Sequence, residues 1–162
     1  MFSMPVIAGT GHRPDKLGGY KDVIFRKTYQ LAFDSLNEWK SNIDVVISGG
    51  ALGWDTALAL AAIDLDIKLI CALPFKGQES RWPRASQEKY NEILNKSDEI
   101  VYVCEDGYAP WKMQVRNEWM VNHCDIVLAL WNGSPGGTGN CIKYAKKVNK
   151  PIKNVWDYWE ED

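Results

Sequence analysis

No C-x-x-C pair occurs among the four cysteines, Cys71, Cys104, Cys124 and Cys141, and the chain has only two histidines, His12 and His123. Structural zinc needs closely spaced Cys and His ligands, so no metal site is expected. Scattered thiols read instead as free cysteines in a reducing cytoplasm. No apolar run approaches the ~18 residues of a membrane span, and no charged-then-apolar leader opens the chain, so no membrane partner is expected. Basic charge is not in excess either. The formal net charge is −2, which gives no global field for nucleic acid, and nucleic acid is therefore not an expected partner. Internal repeats and low-complexity linkers are also missing.

What the chain does have is ordinary for a globule: 162 residues, 46 % hydrophobic and 25 % charged. That length suits one domain, which buries roughly 70 % of its unfolded surface and needs no disulfide to hold it. The unusual component is tryptophan, eight residues beside seven Tyr and four Phe.

Apolar runs alternate with amphipathic stretches from end to end. Val6-Ile7-Ala8 predicts a short strand, with Gly9-Thr10-Gly11 as the turn after it. Between Tyr20 and Trp39, the residues Ile24, Thr28, Leu31, Ala32, Leu36 and Trp39 recur at helical spacing. Strands are expected at 43–48, 67–73, 99–103 and 125–131, with an edge strand near 151–155. Helices are expected at 54–65, 84–97, 111–123 and 138–148. Continuous apolar strands that alternate with helices signal a parallel sheet covered on both faces. The expected fold is α/β, a single Rossmann-like doubly wound domain with a mainly parallel sheet. Its core spans about 5–155 and a C-terminal tail covers 156–162.

Ligands of such sheets bind beyond the carboxyl ends of the strands. Three junctions there are rich in glycine: Gly9-Thr-Gly-His-Arg13, Ser48-Gly-Gly-Ala-Leu-Gly-Trp-Asp55 and Asn132-Gly-Ser-Pro-Gly-Gly-Thr-Gly-Asn140. Glycine lets backbone approach a ligand, and each following helix offers unpaired N–H groups to an anion. Three such loops on one sheet edge point to phosphate. None continues as Gly-Lys-Ser/Thr, and none is a G-x-G-x-x-G with its acidic partner, which demotes ATP hydrolysis and dinucleotide redox chemistry. No cofactor is expected.

Residues 48–55 resemble the S-G-G-A-x-G-x-D signature of the SLOG superfamily of Rossmann-like proteins, which includes DprA, YpsA and the LOG phosphoribohydrolases. Pro135-Gly-Gly-Thr-Gly-Asn140 resembles its P-G-G-x-G loop, while Thr10-Gly-His-Arg-Pro14 and Leu73-Pro-Phe-Lys-Gly-Gln-Glu-Ser-Arg-Trp-Pro83 are similar to the YpsA-type branch. Together these motifs cover about residues 5–148. Members of that branch occur in bacteria and their phages, so a phage origin fits. The resemblance implies a nucleotide or nucleotide-derived small molecule across the loops. Backbone donors to phosphate would come from Gly49, Gly50, Gly136, Gly137, Thr138 and Gly139. Arg13 and Arg116 are the charge-assisted candidates. Asp55 would cap its helix or hold a ribose hydroxyl, and His12 would contact a base or phosphate or anchor its loop. The rest of the expected binding set is Gly9, Thr10, Gly11, Ser48, Ala51, Gly53, Gln78, Trp82, Asn132, Gly133 and Asn140. Relatives commonly form oligomers, and a homo-oligomer is expected.

The LOG pattern is P-G-G-x-G-T-x-x-E with an R-K-x-x-M helix before it. Here Asn140 replaces the Thr, Lys143 stands at the glutamate position, and Asn117 replaces the Lys within Arg116–Met120. N-glycosidic cleavage needs a carboxylate at the sugar, a task for which lysine is unsuited. Substitutes are Glu118, Glu79 and Asp55. The expected function is therefore binding, as a sensor or sequestering protein, with cleavage or exchange of a nucleotide base as the alternative. A DprA-like grip on single-stranded DNA needs a basic groove interleaved with aromatics, and Lys143, Lys146, Lys147 and Lys150 read more simply as a solvated helix face. Five tryptophans, Trp54, Trp82, Trp111, Trp119 and Trp131, fall near the ligand edge, where a flat ring can stack on a base. Of these, Trp82 is the first choice.

Overall fold

The structure, a computed structural model, describes residues 4–160. Six strands form one sheet in the order β4-β3-β2-β1-β5-β6. They are β1 (Val6–Gly11), β2 (Val45–Ser48), β3 (Lys68–Leu73), β4 (Glu99–Tyr102), β5 (Ile126–Leu130) and β6 (Ile152–Asn154). All five pairings are parallel, with Ile7 opposite both Val46 and Ile126. The helices are α1 (Asp22–Glu38), α2 (Trp54–Asp64), α3 (Arg84–Lys96), α4 (Pro110–Asn122), α5 (Gly137–Lys147) and α6 (Trp156–Glu160). This is the doubly wound α/β architecture that the alternating pattern predicts.

Successive strand residues point to opposite faces, and the core divides accordingly. Ile7, Val46, Leu69 and Leu128 pack under α1, α2, α3 and α6, whereas Ala8, Ile47, Ala72, Val127 and Ala129 pack under α4 and α5. Helix α1 buries a stripe of Thr28, Ala32, Ser35 and Leu36. Helix α2 is buried nearly all round, which its Ala/Leu sequence allows. The C-terminal segment docks through the buried Trp159 of α6.

One local expectation fails. Gly9-Thr10-Gly11 is the second half of β1, not a turn. A Cβ on Gly9 would lie 2.3 Å from Leu58 Cδ2, and one on Gly11 would lie 2.5 Å from Trp54 Cβ. These glycines leave a notch in the sheet that α2 fills. Trp54 is accordingly fully buried, with its Nε1 donating to the Leu128 carbonyl at 3.3 Å, and it has no place in a ring around a ligand.

Candidate functional site

Strand order reverses at β1, whose neighbours β2 and β5 lead to helices on opposite faces. A crevice opens at the carboxyl ends of β1 and β5, where doubly wound sheets place their ligands. Its volume is about 190 Å³, and it is lined from β1 and the turn after it by residues 9–13 with Asp15 and Lys16. Ala51 and Asp55 come from the β2–α2 junction, Met113, Arg116 and Asn117 from α4, and Pro135, Gly137, Thr138 and Gly139 from the start of α5. Eleven predicted residues thus converge: Gly9, Thr10, Gly11, His12, Arg13, Ala51, Asp55, Arg116, Gly137, Thr138 and Gly139.

The start of α5 leaves its backbone donors uncapped. Its N-cap, Gly136, has φ +137° and no side chain caps the helix, so the first-turn N–H groups face the crevice with the positive end of the helix dipole. Asn140 N–H is already within the helix, bonded to Gly136 O at 2.9 Å. Glycine is required at 139 because a Cβ there would lie 2.9 Å from the Ser134 carbonyl. That carbonyl also accepts from Trp131 Nε1 at 2.8 Å, which fixes the loop.

The β2–α2 junction departs from the expectation of a phosphate-binding loop. Gly50 N–H donates to Ser48 Oγ at 3.2 Å, and Ala51 N–H donates to the Asp55 carboxylate at 3.3 Å. Ser48 Oγ donates to the Asp55 carbonyl, and Thr56 Oγ1 to the Ala51 carbonyl. Gly50 is therefore not a free donor to phosphate. The Gly49 carbonyl accepts from both Arg116 Nη1 and Gln78 Nε2, and Gln78 Nε2 also reaches Tyr90 Oη at 3.1 Å. Gly49 is small for a reason: a Cβ would lie 2.6 Å from Arg116 Nη1 and 2.9 Å from Asp55 Oδ2. Gly53, at φ +88°, presses against the His12 carbonyl. Ser48, Gly49, Gly50 and Gly53 position the crevice wall and do not form it.

Asp55 and Arg116 are both buried and flank Gly49. Burial pushes the Asp55 carboxyl up, opposed by the Arg116 charge, the Ala51 N–H and Arg13. Burial also lowers Arg116, with Asp55 opposing, and the guanidinium remains charged. The nearby charge moderates the cost of burying each ion.

His12 is a loop anchor. Its Nε2 sits 3.0 Å from the Asn132 backbone nitrogen and 2.9 Å from Asn132 Oδ1, and that oxygen accepts from Ser134 N–H at 2.9 Å. Its ring meets Trp156 edge to face. Burial lowers its pKa below the ordinary 6.5, with the Asn132 side chain opposing. Lys16, which motif reading missed, completes the clamp by donating to Ser134 Oγ at 3.0 Å and the Pro135 carbonyl at 2.9 Å. Its only sequence signal is its place one turn after Gly-His-Arg-Pro. Asn132, Gly133, Gly136 and Asn140 lie on this loop or helix start outside the crevice lining.

Arg13 and Met113 are shared with a second cleft of about 260 Å³, walled by Phe75, Trp82 and Tyr108. Gln78 and Trp82 belong here, and Trp82 meets Tyr90 edge to face at 5.2 Å. The other tryptophans are elsewhere: Trp119 stacks on His123, and Trp131 packs against the α4–α5 core. Trp111 lines neither cleft. Of the three carboxylates considered for catalysis, Asp55 lines the crevice, whereas Glu118 and Glu79 do not. Glu118 accepts from Gln114 on α4 at 3.2 Å, and Glu79 lies on the loop after β3. The carboxylates on the crevice lining are Asp15 and Asp55. Among the described residues there is no group of three metal-binding side chains, and no helix is long and apolar enough to cross a membrane.

A doubly wound parallel sheet with a glycine-flanked crevice at its switch point, closed by a helix N-terminus, defines a Rossmann-like fold. The YspA SLOG family model matches residues 7–157, and the chain belongs to that family. It is 40 % identical over 125 residues to the SPbeta prophage-derived protein YoqJ of Bacillus subtilis (strain 168), covering 67 % of this chain and 73 % of YoqJ. A phage-derived relative therefore exists, as the motifs suggested. Among solved structures, DNA processing protein A (DprA) of Streptococcus pneumoniae superposes with TM-score 0.70 at 19 % identity over 98 % of this chain. This chain spans 54 % of that DprA. DprA of Helicobacter pylori, solved in a study of its single-stranded DNA binding mode, superposes with TM-score 0.65 at 21 % identity, covering 93 % of this chain and 64 % of that one. The exclusion of nucleic acid from net charge is thereby overturned. The fold is shared with a single-stranded-DNA-binding protein, and total charge says nothing about a local groove.

Proposed function

We propose that the crevice binds a nucleotide, with phosphate at the N-terminus of α5 and the base in the aromatic cleft beyond Arg13. The observation that carries this reading is the uncapped start of α5, whose residues 137–139 line a crevice that continues past Arg13 and Met113 to Phe75, Trp82 and Tyr108. Helix N–H groups and dipole favour the anion, and Arg13, exposed at the junction, adds a mobile positive charge. Asp55, on the crevice lining, is the carboxylate we assign to a ribose hydroxyl. The role is that of a sensor or sequestering protein. Base cleavage is not proposed: Lys143 occupies the position of the LOG glutamate and lies outside the crevice, as do Glu79 and Glu118, and Asp55, which lines it, is buried and holds the Ala51 N–H. Four free thiols suit a reducing compartment such as the cytoplasm.

A second reading is favoured by the likeness to DprA: the bound nucleotide is one unit of a single strand, with its base on the aromatic wall. Calorimetry with a nucleoside 5′-monophosphate, the matching nucleoside and a short oligothymidylate separates the two. The first reading expects the monophosphate to bind and the nucleoside to bind at least ten-fold more weakly. Binding by the oligonucleotide alone, weakening with salt, would establish the second. No binding by any of the three at millimolar concentration overturns both.

A further inference from the structure

The two edges of the sheet are unlike. Edge strand β6 is three residues long, follows Lys150-Pro151 and carries Lys153 at its centre. Proline and lysine are devices that keep an exposed edge from pairing with another chain. The opposite edge strand, β4, has neither. It reads Glu99-Ile-Val-Tyr102, and backbone bonds from Asp98 N–H to Leu69 O and from Val103 N–H to Leu73 O extend its pairing with β3 at both ends. Among the described residues nothing pairs with its outer side, which leaves a row of backbone donors and acceptors open.

The flanks of this edge are apolar on both faces. Ile100 and Tyr102 stand opposite Cys71 and Leu73, on the α3 side of the sheet, and are 40 % and 45 % exposed. On the other side α4 shows Trp111 (61 % exposed), Val115 (40 %) and the half-buried Trp119, spaced four apart and hence one row of the helix. Gln114 faces α5 across a pocket shared with Tyr144. Val115 and Trp119 lie about 100° and 140° round the helix from Gln114, so the row is on the flank turned away from α5 and toward β4. The four exposed residues present on the order of 400 Å² per chain, half of the ~800 Å² that each partner of a stable dimer buries, before the strand backbone is counted.

We infer that the β4 edge is the interface of a homodimer, in which β4 pairs antiparallel with β4 of a second copy and the α4 rows meet across the same two-fold axis. A two-fold normal to the sheet keeps each face on its own side, so α4 lies beside α4 and the apolar surface is self-complementary, as an isologous contact demands. The strand sequence also selects one register. With Val101 on the axis, Ile100 of each copy stands opposite Tyr102 of the other, a β-branched side chain against an aromatic ring. Placing Tyr102 on the axis instead sets Glu99 against Glu105 of the second copy, and placing Ile100 there sets Tyr102 against Asp98.

Sedimentation equilibrium of the whole chain in a dilution series tests the assembly. The wild type is expected to be a dimer. Tyr102→Lys, which puts a charge on the open edge, should raise the dissociation constant at least about thirty-fold, the loss that one central interface residue carries. Tyr158→Lys, at a comparably exposed aromatic on α6, should leave the mass unchanged. Circular dichroism and thermal unfolding establish that both variants fold. The register is read by cross-linking. Val101→Cys, in a Cys104→Ser background, should form a covalent dimer under copper-catalysed air oxidation, because directly opposed strand residues lie about 4.5–5.5 Å apart, within the Cα spacing of a disulfide. Glu99→Cys in the same background should not, since Val103 and not Glu99 of the second copy stands opposite it. A monomer throughout the series, with the edge left to a strand of a different protein, overturns the proposal. So does a dimer that Tyr102→Lys leaves intact or that Tyr158→Lys dissociates. Cross-linking through Glu99→Cys in place of Val101→Cys overturns the register.

Discussion

Replacing Arg116 by methionine removes the charge that faces Asp55 across Gly49 while keeping most of the side-chain volume. Both residues are buried, at 4 % and 7 % exposure. The change leaves the Ala72 carbonyl without its 3.4 Å partner and the Gly49 carbonyl with Gln78 alone. Above all it strands a buried carboxylate. Breaking a buried pair from one side costs about 3–5 kcal/mol, and a chain of this size loses roughly 2–4 °C in Tm per kcal/mol, so a fall on the order of 6–20 °C is expected. The pH dependence identifies the cause. Burial already raises the native Asp55 pKa above 3.8, so the native state holds more proton than the unfolded state as pH rises from 3.8 through the raised value. Stability falls across that window. Without Arg116 the native pKa rises further, so the fall is larger and extends to higher pH, and the variant should recover toward wild type on acidification to about pH 4. Urea unfolding from pH 4 to 8 measures this. Asp55→Asn combined with Arg116→Met should be more stable at pH 7 than Arg116→Met alone by about 1–3 kcal/mol. A loss under 1 kcal/mol for the single variant, or a double variant no better than it, would refute the coupling.

Three further outcomes are expected. Gly11→Ala drives a methyl to 2.5 Å from Trp54 and should cost about 1–3 kcal/mol by overpacking, read from denaturant midpoints; no loss would mean that α2 does not fill the notch in β1. In the native protein a thiol reagent should label Cys104, half-exposed, much faster than Cys71, Cys124 and Cys141, which are buried with thiols pushed up to about 12, 11 and 11; all four should react in guanidinium chloride. Lys112→Met removes a buried ammonium that donates to the carbonyls of Glu105, Asp106 and Gly107, and hydrogen exchange at 105–108 should quicken, with weaker nucleotide binding as Tyr108 loses its support.

Much of the architecture can be read along the chain because parallel strands covered on both faces carry their own signature. Ile126–Leu130 is apolar throughout and sits inside the sheet, between β1 and β6. Where reading failed, distant contacts decided. Gly9 and Gly11 have the residue type of a turn, yet they lie in a strand because Leu58 and Trp54, more than forty residues away, need the space. Trp54 follows a glycine loop and so looks available to a ligand, but α2 turns it into the core. The same holds for the site. The motif residues of α5 reach the crevice, whereas of the β2–α2 motif only Ala51 and Asp55 do, and Ser48, Gly50, Ala51 and Asp55 spend hydrogen bonds on one another. Lys16 is invisible to motif reading because its partners Ser134 and Pro135 lie 118 and 119 residues downstream. Net charge misled for a related reason: a total of −2 is compatible with Arg13, Lys16 and Arg116 gathered at one crevice.

The central claim is that the start of α5 receives the phosphate of a nucleotide. Titration of the ¹⁵N-labelled protein with GMP, followed by amide NMR, tests it directly. The Gly137, Thr138 and Gly139 amides should shift most, with Trp82 and Tyr108 following, and guanosine should leave the first three in place. Amides that shift elsewhere while those of residues 137–139 stay fixed would contradict it.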